Sequence, residues 1–167
     1  MSSEEEKNKA LARRFLEARE KRDLAAVDEM MAPDYVIHAR LLPGQQPGRE
    51  GAIRAIAQLS AAISNASVHF EDQVAAKDKV VTRFIVHATY DRGELMGVAP
   101  TGRQLNNVVI VILRISGGKI AEEWGMGTLG ARLRRQHLEH EIRELVEQEI
   151  RVASSIQQAS LPGWCPP

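Results

Sequence analysis

The sequence predicts an α+β fold in which a curved antiparallel sheet packs on N-terminal helices and is followed by a long C-terminal helix. Three observations lead to this fold class. Helical periodicity dominates the first 64 residues, and four strand-like runs follow them. Beyond the strands, no proline or glycine occurs between Ala131 and Ser160. We therefore expect an α+β domain over residues 1–130, a helix over residues 131–160 and an irregular tail over residues 161–167.

The helical part divides into three predicted helices. The first begins at Ser2 or Ser3, where three glutamates follow and favour the positive end of a helix dipole. The second covers Asp23 to Met31 and is ended by Pro33, and the third covers Arg49 to Ser64. Each helix has an apolar face that can be buried: Leu11, Phe15, Leu16 and Ala18; Leu24, Val27, Met30 and Met31; and Ile53, Ile56, Leu59 and Ile63.

Strands complete the domain. A short strand from Tyr35 to His38 precedes the third helix, and the segment Leu42 to Gly48, dense in proline and glycine, forms a loop between them. The later strands are joined by turns at Lys77-Asp78 and Gly117-Gly118, which predicts an antiparallel meander. They cover Ser67 to Ala75, Lys79 to Tyr90, Leu105 to Ile115 and Lys119 to Trp124. Such a sheet buries one face on the helices, and strong curvature makes a ligand pocket between the two layers.

The predicted C-terminal helix carries apolar residues in the 4-3 spacing of a coiled coil, interrupted by one glutamate. This spacing predicts a homodimer that forms through two copies of the helix. A monomer whose helix folds back onto the sheet is the alternative. The seam comprises Leu138, Ile142, Leu145, Glu149, Val152, Ile156 and Ala159.

Charge and cysteine content argue against several classes of partner and site. Lys plus Arg and Asp plus Glu each number 22, so no net field gathers nucleic acid or an anionic membrane, and neither partner is expected. The single cysteine, Cys165, can form no internal disulfide. The chain shows no secretion signal and no apolar run that could span a membrane, which favours the cytoplasm. No cofactor is expected, and His137 and His140 are expected to face solvent rather than a metal.

A succession of short motifs suggests a family. The chain resembles the SnoaL-like polyketide cyclase or ester cyclase family over roughly residues 8 to 130, and this resemblance implies the cone of the nuclear transport factor 2-like superfamily. Such a match supports the fold better than it supports a particular activity, because one fold hosts many activities. The motifs are Pro33-Asp34-Tyr35-Val36-Ile37-His38, Pro43-Gly44, Pro47-Gly48-Arg49-Glu50-Gly51, Gly93-Glu94-Leu95-Met96-Gly97-Val98-Ala99-Pro100-Thr101-Gly102, and Gly118-Lys119-Ile120-Ala121-Glu122-Glu123-Trp124.

The chain departs from that family where the cyclases carry their catalytic carboxylate. The resemblance implies a carboxylate shortly after Trp124 that acts as general acid and base in an intramolecular aldol closure. This chain has Gly125, Met126, Gly127 and Thr128 there, and a threonine hydroxyl cannot act as a base near neutral pH. A family histidine before Gly93 is also replaced. We therefore expect that the cyclase reaction is lost.

A second resemblance concerns the end of the chain. The segment Glu147 to Pro162 contains Ile156-Gln157-Gln158 followed by Leu161-Pro162. It resembles the linker helix that precedes the catalytic domain in bacterial PPM-type serine/threonine phosphatases of the sporulation and sigma-regulator class. That likeness implies a sensory domain joined to a transmission helix, with a phosphatase domain or another signalling protein as partner.

Five residues are predicted to line the ligand pocket: Tyr35, His38, Arg83, His87 and Trp124. Tyr35 and His38 are implied by the family motif, and Arg83 could hold a carbonyl or carboxylate through two hydrogen bonds. A strand-end histidine satisfied by backbone, a solvated His87, an Arg83 paired with Glu122 or Glu123, and a Trp124 that fills the core are the alternatives.

Two residues are candidates for catalysis if the chain is an enzyme. His38 could act as a base, and Asp91 is the carboxylate nearest the lost histidine. Asp91 next to Gly93 is more often solvated. Asn106-Asn107 could offer a pocket amide, although turn chemistry explains this pair equally well.

Three functions are compatible with these patterns. The favoured one is a non-catalytic, small-molecule-binding or sensory domain that dimerises and relays the state of its pocket through the C-terminal helix. Its ligand is expected to be apolar or to contain a carbonyl group. The second is a cyclase, or a related isomerase or hydrolase, acting on a small carbonyl compound. The third is a structural module whose cone is filled by side chains such as Met96 and Met126.

Overall fold

A computed structural model describes residues 3–160, apart from the side chains at positions 134, 136, 137, 159 and 160. The predictions for the tail at residues 161–167, for Cys165 and for the His137 side chain lie outside the described part. The predicted fold class is confirmed, because a five-stranded sheet packs on helices and a long helix follows it. The division into a cone domain, a helix and a tail remains a prediction.

The three N-terminal helices occur in the predicted order. They are α1 (Ser3–Glu20), α2 (Leu24–Met30) and α3 (Gly48–Ala62). Asp23 caps α2, because its carboxylate accepts a hydrogen bond from the Ala26 amide at 3.0 Å. The α1 face that contacts the sheet includes Phe15 and Leu16, which are 0% and 3% exposed. The apolar spacing of the sequence thus predicted the buried face of α1 correctly.

The sheet contains five strands: β1 (Met31–Ile37), β2 (Ile63–Ala76), β3 (Lys79–Tyr90), β4 (Arg103–Ser116) and β5 (Lys119–Gly127). Its order is β1-β5-β4-β3-β2. Strands β2 to β5 form the predicted antiparallel meander, while β1 lies at the edge and runs parallel to β5. Strand β1 begins four residues earlier than expected, at Met31, and contains Pro33. An edge strand tolerates proline because one side of it needs no ladder hydrogen bonds.

The loop from Asp91 to Gly102 is held against the sheet by Tyr90. This side chain is fully buried, and its hydroxyl donates to the Val98 carbonyl and accepts from the Leu95 amide at 2.8 Å. Leu95 and Val98 also pair with each other through their backbones. One tyrosine therefore fixes the loop that carries the longest motif of the sequence.

The C-terminal helix, α4 (Leu129–Ser160), is attached to the domain at its first turns and leaves it afterwards. Leu133 is fully buried in a cluster with Tyr90 and Leu95, whereas every residue from 138 to 158 is exposed. The helix therefore does not fold back over the sheet in this chain. Described seam residues stay open to solvent: Leu138 57%, Ile142 53%, Leu145 61%, Val152 54% and Ile156 64% exposed. No helix within residues 3–160 combines the length and apolar character needed to cross a membrane.

Candidate functional site

A cavity of about 670 Å³ lies between the helices and the inner face of the sheet. Its volume is in the range of small-molecule sites. The wall is mostly apolar and is built from α1, α3, four strands, the loop after β1 and the first turn of α4. Apolar lining residues are Leu16, Leu41, Leu42, Ile56, Leu59, Ile63, Val68, Phe84, Val86, Met96, Val109, Val111, Met126 and Leu129.

Strand alternation decides which side chains reach the cavity. Val109 and Val111 of β4 line it, and so do Glu123 and Gly125 of β5, each two residues apart. Because successive strand side chains point to opposite faces, the residues between them belong to the outer face of the sheet. Of the two adjacent glutamates of β5, Glu123 is therefore the inner one and Glu122 the outer one.

A buried ion pair is the main polar feature of the cavity wall. Glu123 is 2% exposed, and its Oε1 accepts a hydrogen bond from Nη1 of Arg19 at 3.0 Å. Its Oε2 accepts a hydrogen bond from the Tyr35 hydroxyl at 2.8 Å. Arg19 reaches in from α1 and Tyr35 from β1, so three elements meet at this carboxylate. A charge removed from water in this way needs such partners.

The environment of this group shifts two pKa values. Burial and the neighbouring charge of Glu123 raise the pKa of the Tyr35 phenol far above its ordinary value of about 10. Burial disfavours the charged form of Arg19, but the charges of Glu123 and Tyr35 and the hydrogen bond to Glu123 outweigh burial, and the pKa of Arg19 is raised. At neutral pH Tyr35 is therefore a hydrogen-bond donor and Arg19 a cation.

Sequence reasoning missed Arg19 and Glu123, although both left a signal. Arg19 follows Phe15 by four residues and Leu16 by three, which places it on the buried face of α1. Two successive glutamates in a strand covered on one face require that one of them points inward. A buried carboxylate and a buried guanidinium on facing elements could then have been paired.

His38 and Trp124 do not line the cavity, and their contact with a ligand stays a prediction. They stack on each other with ring centroids 4.4 Å apart and planes 2° from parallel. His38 Nε2 lies 2.7 Å from Oε2 of Glu122, and Arg114 Nε donates to Oε1 of Glu122 at 2.5 Å. The hydrogen bond with His38 is the largest cause that lowers the pKa of the Glu122 carboxyl, and the hydrogen bond from Arg114 is the second. The family motif predicted an inward His38, whereas the alternation of β5 puts its stacking partner Trp124 on the outer face.

Arg83, His87 and Asp91 also lie outside the cavity lining, and their roles in binding or catalysis stay predictions. Arg83 pairs with Glu71 and with Asp72, the latter at 2.7 Å, and His87 Nδ1 lies 2.7 Å from Asn106 Oδ1 on the outer face. Asp91 accepts a hydrogen bond from Ser64 at 2.6 Å. Tyr35 does not line the cavity either, but its hydroxyl donates to Glu123, which does. Within residues 3–160 no group of His, Cys, Asp and Glu side chains is arranged to hold a metal ion.

The segment after Trp124 forms part of the cavity wall. Gly125 and Gly127 line it, and a Cβ atom placed on Gly125 would approach just one atom outside its neighbours, Oε1 of Glu123 at 3.9 Å. Thr128 donates to Asn107 Oδ1 at 3.1 Å, and Asn107 also lines the cavity. Met96 and Met126 border the cavity without filling it. Glycine therefore leaves open space at the position that directly follows Trp124.

Tyrosine titration tests the burial of this site. The chain has two tyrosines, and the pKa of Tyr90 is also raised, chiefly by burial. We expect that at pH 11 the folded protein shows far less tyrosinate absorbance at 295 nm than the protein in guanidinium, where about nine-tenths of the phenols ionise. Folding raises both pKa values, so it favours the neutral form of the two phenols. Their contribution to the free energy of unfolding is therefore complete below pH about 10 and declines as the pH rises above it. Equal ionisation of the folded and denatured protein would contradict the burial of both rings.

Comparison with a known family identifies a match across most of the chain. The model of the SnoaL-like polyketide cyclase family matches residues 9–136, which include the sheet, the cavity and the first turns of α4. No curated protein shows significant sequence similarity to the chain.

Solved structures share the architecture. AclR, a candidate hydroxylase from Streptomyces galilaeus, superposes with a TM-score of 0.67 at 25% identity, covering 78% of this chain and 98% of its own. IdmH, a candidate polyketide cyclase from Streptomyces antibioticus, gives 0.64 at 28% identity, with 77% and 96% covered. A SnoaL-like protein from Jannaschia gives 0.68 at 22% identity, with 78% and 92% covered. In each case the superposition covers more than three quarters of this chain, and a shared fold of this kind is compatible with different reactions.

Proposed function

The chain belongs to the SnoaL-like polyketide cyclase family, and on that premise we propose that it is a non-catalytic member that binds a small molecule and relays the state of its cavity through α4. One observation carries this proposal: Leu129, Gly130 and Ala131, the first turn of α4, form part of the cavity wall. A ligand in the cavity therefore touches the helix that leaves the domain.

The cavity wall favours binding of an apolar body. Aliphatic and aromatic side chains from the sheet and helices surround it, and the charged side chains of the lining are limited to three arginines and two glutamates. Sites of this composition bind through apolar contact and use a small number of polar groups for orientation. An apolar or carbonyl-containing ligand fits this lining.

The side chains of the cavity argue against cyclase chemistry. Gly125 offers no proton-transfer group at the position after Trp124, and His38 and Asp91 lie outside the lining. Glu123 is inside, but both of its oxygens already accept hydrogen bonds from Arg19 and Tyr35. These contacts engage the carboxylate with two other residues of the wall, so it is suited to holding the wall together.

The exposed part of α4 favours the proposal that this helix binds a partner in signalling. A helical segment of 21 residues, 138 to 158, has no protein contact that buries it, yet it carries the apolar seam. Most helical stability in proteins comes from packing of an apolar face. We propose that a second copy of α4 supplies this packing, and that a phosphatase domain or another signalling protein receives the resulting change.

A cavity-filling substitution tests the binding proposal. Gly125→Leu adds a side chain that has room to project into the cavity, at a position without a left-handed backbone angle. We expect calorimetry to show that wild type binds apolar probes such as 1-naphthol and 1-decanol. In Gly125→Leu the affinity should drop about 10-fold or more, since the leucine occupies volume the ligand needs. Val81→Leu, on the outer face of β3, is the matched control and should bind like wild type.

Two outcomes would contradict the binding proposal. If the wild-type protein binds neither probe, the cavity is not a site for apolar molecules. If Gly125→Leu binds as tightly as wild type, the probes bind elsewhere, for example at the exposed seam of α4.

An enzyme is the second candidate, because one carboxylate does lie inside the cavity. Glu123 beside the Tyr35 hydroxyl could remove a proton next to a carbonyl if a substrate displaced Arg19. Turnover of a β-keto ester that disappears in Glu123→Gln, with the fold retained, would favour this reading over the non-catalytic one.

A further inference from the structure

We propose that the ligand of the cavity carries a carboxylate, and that Arg19, Arg22 and Arg40 recognise it while the apolar wall holds the rest of the molecule. This inference rests on the proposed small-molecule function and specifies the chemical class of the ligand. The three arginines all line the cavity, although they come from α1, from the turn after it and from the loop after β1.

Arg19 has donors to spare inside the cavity. A guanidinium carries five N–H groups, and one of them is used by Glu123 at 3.0 Å. The side chain is 20% exposed, and its guanidinium has no other hydrogen-bond partner among the described side chains and backbone. Among the described side chains, the one polar atom that is both enclosed and without a partner is Nε2 of Gln45. The nitrogens of Arg19 that have no partner are therefore not enclosed. The unused N–H groups of Arg19 are thus reachable from the cavity.

Arg22 and Arg40 mark the open end of the cavity, because both line it and both are exposed. Arg22 Nη2 donates to the Ile63 carbonyl at 2.6 Å, which holds its guanidinium beside the start of β2. Its backbone has a φ of 61°, in the left-handed region where glycine is normally found after a helix. A long charged side chain at such a position costs backbone energy, which points to a use for the side chain.

The charges of the lining leave a surplus of one positive group. Its acidic members are Glu20 and Glu123, and both are occupied: Glu20 Oε1 accepts the Val68 amide at 3.1 Å, and Glu123 pairs with Arg19. Arg40 has no ion pair or hydrogen bond among the described residues. A positive lining in a chain of zero net charge is a local feature of this cavity.

A carboxylate on an apolar body matches both the positively charged part and the apolar part of this wall. Guanidinium groups bind carboxylates through two parallel hydrogen bonds, which are stronger than bonds between neutral groups. A single negative charge also balances the surplus of one. An aliphatic or aromatic acid therefore fits better than a neutral ketone or a cation of the same size.

Three probes with the same apolar chain test the inference in wild-type protein: decanoate, 1-decanol and decyltrimethylammonium. We expect calorimetry to show that decanoate binds about 10-fold or more tightly than 1-decanol, as hydrogen bonds between charged groups imply. Decyltrimethylammonium should bind more weakly than 1-decanol. The preference for decanoate should shrink at high salt, because the two outer arginines are exposed.

Substitutions then locate the recognition. Arg22→Gln combined with Arg40→Gln should reduce decanoate affinity about 5-fold or more and leave 1-decanol unchanged. Arg54→Gln combined with Arg143→Gln removes the same charge outside the cavity and should change neither probe. Arg19→Gln combined with Glu123→Gln removes both members of the buried pair, so that no charge is left unpaired, and should remove most of the remaining preference.

The outcomes separate this inference from the proposed function. Equal affinity for decanoate and 1-decanol overturns carboxylate recognition while the cavity stands as a binding site. Retention of the preference in both cavity variants also overturns it. If none of the three probes binds, the inference and the proposed function fail together.

Discussion

Replacing Glu123 with alanine is expected to lower the free energy of unfolding by about 3 kcal/mol, because it leaves the partly buried Arg19 charge unpaired. The Tyr35 hydroxyl also loses its acceptor and is enclosed, with the residue 2% exposed. In a thermal denaturation followed by circular dichroism, a loss of this size lowers the melting temperature by roughly 10 °C.

The neighbouring glutamate is the matched control for this experiment. Glu122 also has two partners, His38 and Arg114, but its side chain is 23% exposed and faces outward. Exposed pairs contribute little, so Glu122→Ala should lower the melting temperature clearly less than Glu123→Ala does. Equal losses for the two variants would mean that the pair between Arg19 and Glu123 is not held in the way described.

A double variant separates the ion pair from the space it occupies. Arg19→Met combined with Glu123→Leu replaces both charges with apolar groups, and it should be more stable than Glu123→Ala alone. The double variant can also be compared with Arg19→Met and Glu123→Leu alone. If its loss of unfolding free energy equals the sum of the two single losses, the two side chains do not interact.

Charge introduced into the seam of α4 is expected to abolish dimerisation. In Ile142→Glu combined with Leu145→Glu, two residues that are 53% and 61% exposed in the single chain become acidic on both copies of the helix. Buried a and d positions of a coiled coil do not accept such charges. We expect sedimentation equilibrium to show a dimer for wild type and a monomer for the variant, with the dissociation constant raised about 100-fold or more.

Ser154→Glu combined with Gln157→Glu is the control for the dimer experiment. It adds the same two charges to exposed positions of α4 outside the seam and should leave the dimer intact. A wild-type protein that is monomeric at tens of micromolar would overturn the assembly part of the proposal. A control that dissociates as fully as the seam variant would mean that the contact does not follow the heptad spacing.

The fold followed from the sequence wherever local spacing dominates. Strand β3 has the bounds that its apolar run predicted, and the exposed stretch of α4 is where the chain lacks proline and glycine. Strand β1 was misjudged at its start, because Pro33 was read as the end of a helix. Its place beside β5, far away in sequence, makes an edge strand in which that proline is tolerated.

The site was harder to predict because it depends on which face each strand presents. Trp124 is aromatic and belongs to a family motif, so it was expected inside, yet the register of β5 against β4 sends Glu123 inward and Trp124 outward. A shift of one residue would exchange these two side chains. The loss of a carboxylate after Trp124 was readable from sequence, whereas the pairing of Arg19 with Glu123 requires the packing of α1 on the sheet.

The cavity wall is connected directly to a long helix, because Leu129, Gly130 and Ala131 belong to both. With 32 residues, α4 is about 48 Å long, and it is held at one end. A tilt of about 5° at its first turn moves its far end by about 4 Å, by the geometry of a rigid rod of that length. In the proposed dimer, we expect a ligand that tilts this first turn to change the distance between two probes at the far ends of the helices by several ångströms.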